Sequence, residues 1–285
     1  MKTKNGFTYN RLNKYRRAFQ LFVLLFLIAV PLLILLDVRE IVGNLYSIRI
    51  FGLDIADPAM VLQTIVLSKE FYISLIIMAL IPLILATIFG RVFCSWMCPY
   101  NSLLEFFENK KVKKLMRKIG LGGKRNLYNT NPKPIYFYAF TIIFYATTLI
   151  VSFPIIGFLS FPGIISSQIA AAILGLSIGL ELSLFAVVFM IEILTWKRFW
   201  CKYVCPVGVV LSLVKNKKTL RVIHDPEKCN CKGTTEPCSI SCPMDLDPKE
   251  KNLYPFCFNC GKCIKACEQT GNGALFLSFG NKKVK

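Results

Sequence analysis

The chain has 285 residues, 54% of them apolar, with a mean hydropathy of +0.52 and a formal net charge of +19. That apolar share exceeds the roughly 45–50% of an ordinary soluble domain, and the basic excess falls between greasy runs instead of along one polar face, which disfavours nucleic acid as a partner. Twelve cysteines against a single histidine, His224, favour iron–sulfur chemistry over haem, whose iron usually needs histidine.

In chain order, residues 1–17 form a basic segment with Lys2, Lys4, Arg11, Lys14, Arg16 and Arg17. The uncharged run Ala18–Leu36 follows, near the roughly 20 residues that a helix needs to cross a bilayer. No small-residue cleavage site precedes Asp37-Val38-Arg39-Glu40, so the run is expected to be an uncleaved helix. The connection 37–70 holds only Arg39, Arg49 and Lys69 against five acids. Within it Asp57-Pro58 reads as an N-cap followed by proline at the first helical position, opening a helix to about Leu67 that is expected to lie flat on the outer surface. Phe71–Phe89 is the second expected span. The middle loop carries Lys110, Lys111, Lys113, Lys114, Arg117, Lys118, Lys124, Arg125 and Lys133. Ile135–Gly157 is the third span and Gln168–Leu194 the fourth, joined by the uncharged stretch Phe158–Ser167, whose Phe161-Pro162-Gly163 suits the membrane interface. The excess of bases in the amino-terminal segment and middle loop puts both termini and that loop on the cytoplasmic side of the inner cell membrane, next to anionic lipid.

Arg91-Val92-Phe93-Cys94-Ser95-Trp96-Met97-Cys98-Pro99 closes the second run, and Arg198-Phe199-Trp200-Cys201-Lys202-Tyr203-Val204-Cys205-Pro206 closes the fourth. The offset is 201 − 94 = 107 residues, and the match continues to Asn109-Lys110-Lys111 and Asn216-Lys217-Lys218. Two helical hairpins duplicated in parallel would meet at a pseudo-twofold axis along the membrane normal, bringing Cys94, Cys98, Cys201 and Cys205 together. The i, i+4 spacing sets each pair on one helical face, and the arginine three residues ahead of each pair, with the helix amino terminus behind it, favours thiolate. These four are the candidate redox residues, as a further metal or cluster site or as cycling dithiols. Glu181, midway along the fourth run and the only acid deep in any span, is the candidate proton acceptor. Glu192 is expected to pair with Arg198 or Arg91.

The tail holds Cys257-x-x-Cys260-x-x-Cys263-x-x-x-Cys267, the spacing that wraps a loop round an iron–sulfur cubane. Upstream, Cys229-x-Cys231 and Cys238-x-x-x-Cys242-Pro243 form a distorted version of the same run. Because the fourth cysteine of each run serves the other cluster in two-cluster ferredoxins, the expected ligand sets are Cys257, Cys260 and Cys263 with Cys242, and Cys229, Cys231 and Cys238 with Cys267. Zinc would account for four-cysteine sites but not for the Cys-Pro ending and the interlocked octet.

With four spans, paired Cys-x-x-x-Cys-Pro motifs and this tail, the chain resembles the NapH family, the membrane quinol dehydrogenase of the periplasmic nitrate reductase system. Its core is similar to the carboxy-terminal half of NosR. The resemblance implies a mainly α membrane protein: residues 1–17, a four-helix domain of two repeated hairpins over 18–215, and a small α+β ferredoxin-like tail with two [4Fe-4S] clusters over 216–285. It also implies quinol as substrate and a ferredoxin-like or cytochrome partner. The irregular Cys229 and Cys231 motif departs from the family spacing. Competing readings are an iron–sulfur assembly factor that reduces metal for a copper-containing oxidase, and a redox sensor without net turnover.

Overall fold

The computed structural model describes residues 9–38, 40–108, 131–177, 179–216, 218–229, 237–250, 253–270 and 273–280. Cys231 and most of the basic middle loop, Lys110 to Arg125, lie outside them.

Helix α1 spans Tyr9–Leu35, about 40 Å at 1.5 Å per residue. Its outward face exposes Leu21, Phe22, Leu25, Ile28 and Leu32, while Arg16 and Gln20 are buried with Val23, Leu27 and Val30. Large apolar residues outside and polar groups inside is the pattern that lipid, not water, imposes. Helix α3 (Ile73–Phe89) likewise exposes Ile77, Leu80, Ile84 and Ile88, and buries the small Ala79 and Ala86. Among the described residues, two helical stretches, Leu12–Leu35 and α6 (Pro134–Val151), are long and apolar enough to cross a membrane.

Between α1 and α3 lies an antiparallel meander of β1 (Ile41–Gly43), β2 (Ser47–Ile50) and β3 (Leu53–Ala56), followed by α2 (Pro58–Ser68). The N-cap is as the sequence indicates, with the Asp57 carboxylate accepting the Ala59 amide at 2.9 Å. The placement is not. Pro58, Ala59, Val61 and Gln63 are buried, and α2 packs on α3, α6 and the helix after the second cysteine motif instead of lying on the surface. Nearly all of its side chains are apolar, so burial on several faces is favoured over an interfacial position.

The second half departs from expectation in the same way. The third run ends at Val151, where Ser152 takes a left-handed conformation (φ 54°), and Phe158–Ser167 is no interfacial loop: α7 (Ile155–Leu159) and α8 (Phe161–Ile173) bury Ile156, Phe161, Pro162, Gly163 and Ile164. The fourth run is not one helix. It breaks after Ile173 and resumes as α9 (Glu181–Thr195), because Gly175 adopts φ +69° and the Gly179 amide, freed from any helix, is taken up by Gln168 Oε1 at 3.1 Å. Glu181 therefore stands at the first residue of α9 and not midway along a span.

The tail begins with β4 (Leu220–His224), which pairs antiparallel with β5 (Leu275–Phe279) in the register Leu220↔Phe279 to His224↔Leu275. The short helix α11 (Pro237–Ile240) and α12 (Lys262–Thr270) pack together beneath it.

Candidate redox site between the helical core and the tail

Each cysteine motif is folded by its proline. The first forms α4 (Val92–Trp96), then turns so that Cys98 is extended (φ −65°, ψ 117°) as the cap of α5 (Pro99–Phe107). The second forms a π-helical turn, Trp200–Val204, and Cys205 caps α10 (Pro206–Leu213) at φ −59°, ψ 113°. A residue before proline is pushed out of the α region, so each Cys pair straddles a helix end instead of sharing one helical face, which corrects the i, i+4 reading. The two caps nonetheless have the same backbone. Amides of Tyr100 and Asn101 point at the Cys98 thiol, and the Gly208 amide at that of Cys205.

The four thiols lie near enough to act on one another electrostatically, Cys98 feeling Cys94 and Cys205, and Cys201 feeling Cys98 and Cys205. Cys98 and Cys205 are buried in the helical core. Cys94 and Cys201 pack against both that core and the buried core of the tail. Burial pushes all four thiols up, outweighing the pull of Arg91 on Cys94 and of Arg198 on Cys201. Burial and the arginines thus act in opposite senses on these thiols, burial disfavouring and positive charge favouring the thiolate.

The repeat-equivalent arginines, 198 − 91 = 107 apart, cross over to the opposite half. Arg91, buried to 3% exposure, donates to the Cys201 carbonyl at 3.2 Å and lies so close to Gly208 that a Cβ there would sit 2.2 Å from its Nη2. Arg198, equally buried, donates to Asn101 Oδ1 and pairs with Glu108 at 3.1 Å. Asn101 and Gly208 are themselves equivalent, since 208 − 101 = 107.

Both arginines also reach the tail. Arg91 Nη1 donates to the carbonyls of Pro255 (2.9 Å) and Phe256 (3.4 Å), the two residues before Cys257, and the Arg198 guanidinium lies 5.9 Å over the Phe258 ring. Asn259, left-handed at φ 55° between Cys257 and Cys260, donates to the carbonyls of Phe89 at the end of α3 and Leu220 at the start of β4. Lys262 meets Glu105 at 3.1 Å and Glu108 at 2.9 Å on α5, and Glu105 also pairs with Arg16 of α1 at 2.9 Å. Burial raises the Glu105 carboxyl, but Lys262, Arg16 and Arg198 together bring it well below the usual carboxylate range. The start of α1, both cysteine motifs and the tail therefore share one end of the helical bundle.

Within the tail, Cys242, Cys257, Cys260 and Cys263 line one small cavity with Val222, Leu246 and Phe258. Four thiols around an apolar hollow, the first followed by Pro243, suit a cubane, which binds each thiolate on a different iron. Among the described residues, no three His, Cys, Asp or Glu side chains converge on a single-ion centre. Of the second expected set, Cys238 and Cys267 are buried in the tail core with Cys229 against it, and Cys231 lies outside the described residues.

Glu181 is not beside the cysteines; it is among the charges around Tyr46, at the far end of α9. Glu192 occupies the near end; its oxygens accept from Tyr100 Oη at 2.6 Å and the Trp200 amide at 2.5 Å, and the expected partner Arg198 acts on it by charge without a direct hydrogen bond. Tyr100, Asn259 and Lys262 carry no motif of their own and were not singled out in the sequence. The Asn101–Gly208 pair was legible in the repeat, two residues past each proline.

The family described as 4Fe-4S binding domain matches residues 71–120 and 178–222, two segments that begin 178 − 71 = 107 residues apart. They contain Cys94, Cys98, Cys201 and Cys205. Ferredoxin-type protein NapH of Escherichia coli is 25% identical over 236 residues, covering 80% of this chain and 77% of that protein. Methylamine utilization ferredoxin-type protein MauN of Methylorubrum extorquens is 30% identical over 184 residues, 63% of this chain and 58% of that one. An uncharacterized protein of Methanocaldococcus jannaschii is 29% identical over 214 residues, 75% and 74% of the two chains. No solved structure matches.

Proposed function

The chain is a relative of the NapH and MauN ferredoxin-type proteins, and from that premise we propose that it is a multi-pass membrane electron carrier that oxidises quinol and passes the electrons through iron–sulfur clusters to a redox partner. The observation that carries this is the position of Cys94 and Cys201, which touch the helical core on one side and the cysteine-bearing tail on the other. When bound, the clusters supply one-electron chemistry at thiolate-held iron. Two [4Fe-4S] clusters are assigned, one to Cys242, Cys257, Cys260 and Cys263 and one to Cys229, Cys231, Cys238 and Cys267.

The chain's own residues supply the rest. Arg91, Asn259 and Lys262 fix the 255–263 loop against the ends of α3 and α5, so the tail is held over the motifs instead of being tethered loosely. Arg91 and Arg198 place positive charge beside the thiols, which favours their charged, metal-binding form. Both termini are assigned to the cytoplasmic side and the β1–β3 meander to the outside. The partner is a soluble or membrane redox protein of ferredoxin or cytochrome type that docks on the tail.

The test is anaerobic purification, iron and sulfide analysis, then addition of decylubiquinol or a menaquinol analogue with electron paramagnetic resonance. About eight irons and eight sulfides with signals appearing on quinol addition are expected. Zinc in place of iron, or clusters that quinol leaves oxidised, would end this reading.

A further inference from the structure

A cavity of about 420 Å³ lies on the core side of the first cysteine motif, within the size range of small-molecule sites. One wall is Phe93, Trp96 and Met97, which bracket Cys94 and precede Cys98. A second is formed by α1 and α3, where Phe19, Leu85 and Phe89 are also exposed on the lipid-facing surface, so the space adjoins the bilayer. The third is the amino terminus of α2 with Pro162 of α8. Among the described residues lining it, Asp57 alone has an ionisable side chain. Asp57 accepts from the Ala59 amide at 2.9 Å and more weakly from Ser160 Oγ at 3.4 Å, which leaves acceptor positions on the carboxylate.

We propose that this cavity is the binding site for the headgroup and first tail units of a prenylated quinol, with Asp57 accepting the hydrogen bond of one ring hydroxyl. The inference rests on the quinol-oxidising reading above and assigns its site. The chemistry of the walls selects the occupant. An anionic ligand would meet a carboxylate and no cation, and a bare acyl chain gives Asp57 no partner. A neutral ring carrying a hydroxyl and an apolar tail satisfies both the greasy walls and the single acceptor. The site also sets that ring against the Phe93–Met97 segment, next to Cys94, whereas Glu181 does not line the cavity.

The experiment uses the full chain with its clusters, in phosphatidylcholine vesicles under anaerobic conditions, photolabelled with an azido-decylquinone and analysed by peptide mapping. Adducts on residues 19–27, 85–89 or 92–97, competed by decylubiquinol but not by added phospholipid, are expected. Ala86→Phe, which fills the cavity, should lower labelling by about tenfold or more. Leu85→Trp at the mouth serves the same purpose if the first variant loses its tail iron. Asp57→Asn keeps a good N-cap but replaces an acceptor with a donor, and should weaken competition by the quinol about tenfold while the quinone labels within about twofold. Adducts elsewhere, labelling insensitive to both cavity-filling variants, or equal displacement by phospholipid would overturn the site. The two readings fail separately. Quinol bound here with clusters left oxidised sinks quinol oxidation and keeps the site; clusters reduced at the native rate in Ala86→Phe keep quinol oxidation and sink the site.

Discussion

The two cysteine motifs descend from one sequence pattern, yet their arginines are balanced differently. Arg91 donates to the carbonyl oxygens of Cys201, Pro255 and Phe256, reaches the Cys94 thiol, lies 5.1 Å over the Phe137 ring and fills the space where a side chain at 208 would stand. Arg198 is held by a carboxylate and an amide, Glu108 and Asn101, with Glu105 close by. Among the described residues, the first arm pairs with no carboxylate, whereas the second belongs to a charge network with Arg16 and Lys262. A duplicated frame thus gives one arm that positions the tail through its backbone and one that locks it by ion pairing. The residue that distinguishes them is a glycine facing an asparagine.

The largest break in this comparison comes from removing each arm. Arg198→Leu takes the buried cation from Glu108 and Glu105, which keep only Lys262 and Arg16, and should cost about 3–5 kcal/mol, against about 1–3 kcal/mol for Arg91→Leu, which breaks hydrogen bonds to carbonyls but no pair with a carboxylate among the described residues; urea midpoints in detergent, read by tail cluster absorbance, check the order. Next, Gly208→Ala drives a Cβ into Arg91 and should cost about 1–3 kcal/mol, a penalty that the Arg91→Leu background should largely remove. Neutralising Glu105 sharpens the contrast by pH. Its folded-state carboxyl sits below the unfolded value, so its contribution is present above about pH 4.3 and is lost as pH falls through the folded value. Acid loosening of the tail below about pH 4 should be seen in the native protein and be smaller in Glu105→Gln. The smallest effect is Asn101→Ala, which removes one hydrogen bond to Arg198 and should cost about 1 kcal/mol.

Much of this frame was legible before any coordinates. The Arg-x-x-Cys-x-x-x-Cys-Pro motif in each half, the Asp57-Pro58 cap and the prolines that stop each motif are local signals, and local signals survive folding. What was not legible is where helices sit in depth. Apolar runs such as 58–67 and 158–167 carry the same composition whether they lie on a membrane surface or pack into a bundle, so the sequence does not show that α2 and the first residues of α8 help to form the core. Glu181 was misplaced for the same reason. A run of apolar residues long enough to span hides the break that Gly175 and Gly179 introduce. The docking residues Asn259 and Lys262 sit inside a cysteine motif and carry no pattern of their own, and their partners Phe89 and Glu105 are more than 150 residues away.

The claim on which the rest depends is that Cys94, Cys98, Cys201 and Cys205 form one redox relay between the helical core and the tail. Its most direct test is the rate at which quinol reduces the tail clusters in a Cys94→Ala, Cys201→Ala double variant whose tail iron is retained. The account predicts that this reduction is lost or slowed by at least about a hundredfold, as expected for removing a required redox group; tail clusters reduced at the native rate would contradict it.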